Sequence, residues 1–254
     1  MSLDSGSSKA LYRQVADILR GSILRGDYGP GDPIPSESEL MAAHSVSRTT
    51  ARQAMALLGN EGLVVIGHGR RATVRPRPPV RRLARNRLSR AERDKTGGTF
   101  MADAAANNAR PETKTTIVIE PADPETALLL GLEEGAPVLE RRRQMSLDGR
   151  PTQLATSYLP GALVRGTQIE RHDTGPGGIY ARLEELGHTL TRFVEVVATR
   201  MPLPDEVDAL QLPPGTPVFL VTRTAYDTED RPVEVNRITM AGHLYELAYE
   251  IPAT

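Results

Sequence analysis

The sequence predicts two domains, a mainly α head closed by a β-hairpin and then an α+β domain built on an antiparallel sheet. Three observations carry this. Residues 33–74 hold two helix-capping signals and a basic hairpin in close succession, and residues 128–151 and 207–232 repeat one another. Charge is also divided: 17 basic residues face nine acidic ones in residues 1–95 (net +8), against 14 and 23 in residues 96–254 (net −9). The overall net charge of −1 hides that division, and 254 residues suffice for two cores.

Residues 1–8 (MSLDSGSS) are polar and are expected to form a disordered tail. The head then spans 9–75. Leu11, Val15, Ile18, Leu19 and Ile23 recur at helical spacing, so residues 9–25 form its first helix, and GDYGPGD supplies the turn after it. Ser36 followed by Glu39 is a capping box, in which each side chain satisfies an orphan N–H, and it predicts a helix over 37–44. Ser45 and Val46 make a turn, Ser47 caps a second helix to about Glu61, and Gly62 stops it. At 100° per residue, Ala51, Ala54, Leu57 and Leu58 share one side of that helix and Arg48, Thr49, Arg52, Gln53 and Ala56 the other. Two arginines one turn apart suit a major groove, where Arg grips guanine O6 and N7 and hydroxyls hold phosphate. An ordinary solvated helix face would show the same pattern. Residues 63–66 and 72–74, joined by His68, Gly69, Arg70 and Arg71, read as a hairpin with a basic tip. A helix-turn-helix followed by such a hairpin is a winged helix, whose wing reaches a flanking groove.

The run from Leu11 to Val74, with ILRGDYGPGDPIPSESEL, VSRTTARQAMALLGNEGL and the glycine-bearing wing, resembles the N-terminal domain of GntR-family bacterial transcription regulators. The resemblance implies that Arg48 and Arg52 read bases, that Ser47, Thr49 and Thr50 hold phosphate or sugar, and that His68 and Gly69 touch DNA from the wing. With Ser36 and Arg70 these make up the candidate DNA-binding set.

Residues 76–95, PRPPVRRLARNRLSRAERDK, are dense in Pro and then Arg, which favours an extended linker. Its arginines from Arg81 to Arg93 either stay solvated or touch DNA. The second domain spans 96–254. In its repeat, Gly135 matches Gly215, Pro137 matches Pro217 and Arg143 matches Arg223. Each copy reads as a short helix, a turn at Gly, a strand, a polar reverse turn and a returning strand, over 152–159 in one copy and 233–240 in the other. Further strands are expected at 116–120 and 190–201, with a helix at 179–186; together they make an α+β domain.

DGRP, EDRPVE, TSYLP and IYARLEELG make this segment similar to the UTRA ligand-sensing domain of the HutC subfamily of GntR regulators. The resemblance implies a chorismate-lyase-like fold, a small-molecule effector and a homodimer. Arg141 and Arg143 alternate onto one face of a strand, Thr156 and Tyr158 share a face of the returning strand, and Glu234 follows the second turn. These five form the candidate effector set, for a small polar or anionic ligand; a surface charge ladder is the competing reading. GPGG at 175–178, just before a helix, is either an anion-binding turn or a plain loop.

Cysteine is absent, which excludes disulfides and thiolate zinc sites. No run of 18 apolar residues and no apolar block behind a basic start occurs, so a cytoplasmic protein without a membrane partner is expected. The five histidines are scattered, and no nucleophile–base pair, metal motif or phosphate loop stands at useful spacing, so no catalytic residue, metal or cofactor is expected. The expectation is a ligand-responsive DNA-binding regulator, a repressor released from an inverted-repeat double-stranded operator by a metabolite. The alternatives are a small-molecule enzyme of chorismate-lyase-like fold joined to a DNA-binding head, and an architectural DNA-binding protein.

Overall fold

In the computed structural model, which describes residues 9–67, 70–83, 88–91 and 98–249, the chain divides into a first unit, which runs to Arg77 and takes in Leu212–Thr216, and a second made of the rest from Pro78 onward. The expected tail, residues 1–8, lies outside the described residues.

The first unit begins with α1 (Leu11–Arg25), which buries Val15, Ala16 and Leu19 and ends where Gly26 turns left-handed at φ 85°. Its capping bonds run from the Gly26 and Asp27 N–H groups back to Ile23 and Ser22. Ser36 caps α2 (Glu37–His44): its Oγ accepts the Glu39 N–H at 3.3 Å, and the Glu39 carboxylate takes the Ser36 N–H at 2.7 Å. Ser45, left-handed at φ 53°, turns the chain into α3 (Arg48–Asn60), which Ser47 caps by accepting the Thr50 N–H at 3.2 Å. The hairpin follows as β1 (Val64–Val65) paired antiparallel with β2 (Thr73–Val74). Val15, Leu19, Ile34, Leu40, Ala54 and Leu58 meet in one core. Burying each of the larger ones contributes about 1.5–3 kcal/mol. At the surface, Arg20 of α1 grips the Glu61 carboxylate through two N–H groups at 2.8 and 2.6 Å and so holds the end of α3.

The second unit opens with β3 (Val80–Leu83), which pairs in parallel with β10 (Tyr245–Ala248). The stretch expected as linker is therefore partly a strand, and Arg82 within it is buried against Glu195 at 2.8 Å rather than solvated. Of the other linker arginines, Arg85, Arg87 and Arg93 lie outside the described residues. Next come α4 (Thr99–Ala106), β4 (Pro111–Pro121), α5 (Pro124–Leu130), β5 (Pro137–Leu147) and β6 (Arg150–Pro160), then the short α6 (Gly161–Val164). After a 3-10 turn at Gln168–Glu170 follow α7 (Gly178–Glu185), β7 (Leu190–Arg200), α8 (Pro204–Leu210), β8 (Val218–Asp227) and β9 (Pro232–Ala241). The strands form one antiparallel six-stranded sheet in the order β4-β5-β6-β9-β8-β7.

That order explains the sequence repeat. β4, α5, β5 and β6 make one copy, β7, α8, β8 and β9 the other, and the two returning strands β6 and β9 meet at the centre of the sheet. The matched Pro137 and Pro217 have matched partners. A Cβ added at Gly161 would stand 2.7 Å from the Pro137 carbonyl oxygen, and one at Gly242 would stand 2.5 Å from that of Pro217. Both copies thus need glycine where the returning strand ends, because the backbones touch there. On one face of the sheet, Leu139, Leu159 and Val233 pack against Ile169, Ile179 and Leu183. On the other, Val138, Val235 and Tyr158 pack against Ala127 and Leu130 of α5.

Candidate nucleic-acid interface and ligand pocket

On α3 the burial divides as the helical periodicity requires. Ala51, Ala54 and Leu58 are fully buried, whereas Arg48, Thr49, Arg52, Gln53 and Ala56 are exposed. Arg48 and Arg52 therefore project together from the first turns of the helix, and both reach back to one carboxylate, that of Glu37 on α2. Arg48 Nε donates to Glu37 at 3.2 Å and Arg52 Nε at 3.4 Å. Ser47 and Thr50 share a hydroxyl–hydroxyl bond at 2.9 Å, and the Ser36 hydroxyl is engaged with Glu39 and Ser38, so these three side chains organise the helix starts. Arg70 is exposed on the hairpin, while Arg71 is tied to the Ile34 carbonyl at 2.9 Å and to Glu39 at 2.7 Å. His68 and Gly69 lie outside the described residues.

In the second unit a cavity of about 530 Å³ opens on the sheet face that carries α7. Arg141, Arg143 and Glu234 all line it, the two arginines on the one face that strand alternation gave them. Thr156 and Tyr158 do not, and correct the expectation. They lie on the opposite face, in register with Arg142 and Glu140, and the Tyr158 ring sits under the Arg237 guanidinium at 5.1 Å. The cause is a bulge. At the turn Leu147 pairs with Arg150 and Ser146 with Pro151, but Met145 pairs with Gln153, leaving Thr152 extra. From there inward every β6 side chain changes face, so Ser157 and not Thr156 stands beside Arg141. The second copy has the same device: Tyr226 pairs with Pro232 and Ala225 with Glu234, and skipping Val233 puts Glu234 on the cavity side.

One cross-strand row runs Ile117, Arg141, Ser157, Asn236, Arg223, Glu195 across all six strands. Arg141 spends its guanidinium on the carbonyls of Ile169 (2.6 Å), Arg171 (2.5 Å) and His172 (3.0 Å), pinning the segment that closes one side of the cavity. Burial, and then the neighbouring Arg143, bring its pKa down to about 10. It remains a cation at neutral pH. Arg143 donates to Ser157 and, at 3.5 Å, to Asn236, while its Nε has no partner among the described residues. Arg223 is buried against Glu195 at 2.8 Å and donates to the Tyr180 hydroxyl at 3.3 Å. The Tyr180 phenol is raised by burial and then by the nearby Glu234 carboxylate.

Sequence reasoning missed Asn236, Ser157, Tyr180 and α4, whose Thr99, Phe100 and Met101 form part of the cavity wall. Asn236 was within reach, because it lies two residues from Glu234 on one strand and so shares its face. Gly175, Gly177 and Gly178 of GPGG also line the cavity, ahead of α7.

Residues 11–74 match the family described as bacterial regulatory proteins, gntR family, and residues 106–246 match the UTRA domain. The chain belongs to the GntR family, with a UTRA domain. It is 33% identical to an uncharacterized HTH-type transcriptional regulator of Streptomyces coelicolor, over 94% of this chain and 91% of that one. It is 30% identical to the HTH-type transcriptional repressor PhnF of Mycolicibacterium smegmatis, over 84% and 81%. A crystal structure of a GntR-family transcriptional regulator superposes with a TM-score of 0.69 at 25% identity, covering 97% of this chain and 99% of that one. The GntR-family chain is accordingly a transcriptional regulator with a DNA-binding head and an effector domain, as the relatives named above are transcriptional regulators. Among the described residues no helix is long and apolar enough to cross a membrane.

Proposed function

We propose that the chain is a homodimeric repressor of the HutC type, which leaves an inverted-repeat operator when a small anionic metabolite enters the cavity of its second domain. The observation that carries this reading is the cavity of about 530 Å³ with Arg143 in its wall and the Arg143 Nε unspent. A buried donor without an acceptor is costly, and an anionic ligand supplies the acceptor. That PhnF is a repressor supports the same direction of control. A ligand moves a binding equilibrium only through differential affinity, so this one prefers the dimer arrangement unsuited to the operator.

In the head, we assign base reading to Arg48 and Arg52 and backbone contacts to Thr49 and Arg70, with Ser36, Ser47 and Thr50 positioning the helices. Replacing Arg52 with Ala costs about 1–3 kcal/mol of operator affinity and relaxes preference at one base, whereas Thr49→Ala weakens all duplexes alike. Both leave the buried side of α3 intact. Selection from a random duplex pool measures the two effects, and an unchanged base preference for Arg52→Ala removes it from the reading set. Arg143→Gln, which removes the unspent donor and its charge, is expected to retain operator binding and lose its release by the metabolite.

A further inference from the structure

Glu234 is fully buried on β9 and lines the cavity, yet neither carboxylate oxygen has a hydrogen-bond partner among the described residues. Its surroundings explain why. The cross-strand partner is Ala225, which offers no donor. The nearby cations are committed elsewhere: Arg141 to three backbone carbonyls, Arg143 to Ser157 and Asn236, and Arg223 to Glu195 and Tyr180. The Tyr180 hydroxyl, which accepts from Arg223 at 3.3 Å, lies near the carboxylate, and burial and then Glu234 raise its phenol. A carboxylate held out of water without donors is strongly penalised, so the matching donors belong to whatever fills the cavity. Arg143 presents the complementary orphan, a donor without an acceptor.

Charge sharpens the match. In and beneath this wall Arg82, Arg141, Arg143 and Arg223 face Asp103, Asp173, Glu195 and Glu234, so the two signs balance and a ligand bearing both suits the site better than a simple anion. Taking the cavity as the effector site proposed above, on which this step rests, we propose that the effector is bipolar. An anionic end binds Arg143, and a donor-bearing end, an ammonium or a vicinal diol, binds Glu234. A simple anion satisfies the first orphan and leaves the second.

Calorimetric titration of the full chain with four probes tests this: inorganic phosphate, ethyl phosphate, O-phosphoethanolamine and glycerol 3-phosphate. The first two carry the anion alone, the third adds an ammonium and the fourth a diol. We expect phosphoethanolamine or glycerol phosphate to bind at least on the order of tenfold more tightly than ethyl phosphate, the size of one charge-assisted hydrogen bond. In Glu234→Met, checked for folding by its melting curve, that ratio falls to near one. Glu234→Gln, which keeps hydrogen bonding without the charge, abolishes an ammonium preference and preserves part of a diol preference. Equal affinity of ethyl phosphate and both donor-bearing probes in the wild type overturns the proposal while leaving the anion pocket standing. A ratio that survives in Glu234→Met does the same. Failure of all four probes to bind overturns the anion pocket itself, and if Glu234→Met does not fold, the wild-type ratio alone decides.

Discussion

At the scale of single residues, Glu37 is the side chain whose role the periodicity of α3 could not reveal. It holds both Arg48 and Arg52, at 3.2 and 3.4 Å, while those arginines remain largely exposed. Exposed pairs of this kind contribute no more than about 1 kcal/mol to stability, so Glu37→Gln should melt within a few degrees of the wild type. If α3 reads the duplex as proposed, the same carboxylate acts twice there, repelling phosphates near it and fixing the fan of the two guanidiniums. Glu37→Gln is therefore expected to bind arbitrary duplex severalfold more tightly and to lose part of its operator preference. Fluorescence anisotropy against operator and scrambled duplex measures both. An unchanged ratio of the two affinities would mean that Glu37 orients nothing.

At the scale of elements, the β8–β9 turn is organised by Asp227. Its buried carboxylate accepts from the Glu229 and Arg231 backbone N–H groups at 2.9 and 3.0 Å, from Arg231 Nε at 3.1 Å, and pairs with His188 at 2.8 Å. Burial alone would raise its pKa, but the His188 bond and the backbone donors outweigh it and hold the group at about 2, below its ordinary 3.8. A carboxylate depressed on folding stabilises the fold fully above its unfolded pKa and loses that contribution as pH falls toward the folded one. Asp227→Asn should accordingly be less stable than the wild type at pH 7, with the gap closing between about pH 4 and pH 2. Urea unfolding across that range checks it; a gap constant down to pH 2 would show that the turn does not depend on the charge. The turn matters because the bulge beside it sets the face on which Glu234 emerges.

At the scale of the whole molecule, the charge division separates the two tasks. The unit that runs to Arg77 holds ten basic and seven acidic residues (net +3) and the rest of the chain 21 and 25 (net −4), so phosphate attraction favours the first. If the chain is a two-fold dimer, two reading helices face the duplex in opposite senses and the operator is an inverted repeat, its half-sites about one helical turn or a multiple apart. Light scattering should then give twice the 27.6 kDa chain mass, and footprinting two symmetric protected half-sites. A monomer on a single asymmetric site would overturn this arrangement.

What could be read without coordinates was what short-range chemistry specifies. Ser36 with Glu39, and Ser47, mark the starts of α2 and α3 to the residue, because a cap is satisfied within one turn of its own helix. The hydrophobic period of α3 places Arg48 and Arg52 outward, and the repeat at Gly135/Gly215 and Pro137/Pro217 gives two strand pairs. Tertiary structure alone decided what depends on distant partners. β3 pairs with β10 across more than 160 residues of chain, which no local pattern announces. The ligand-facing side of β6 turned on one extra residue, Thr152, whose insertion shifts the register and sends Thr156 and Tyr158 to the far face while bringing Ser157 to Arg141. Alternation tells which side chains on one strand share a face. Which face of the neighbour they meet is set by the pairing, and pairing is a property of two strands together.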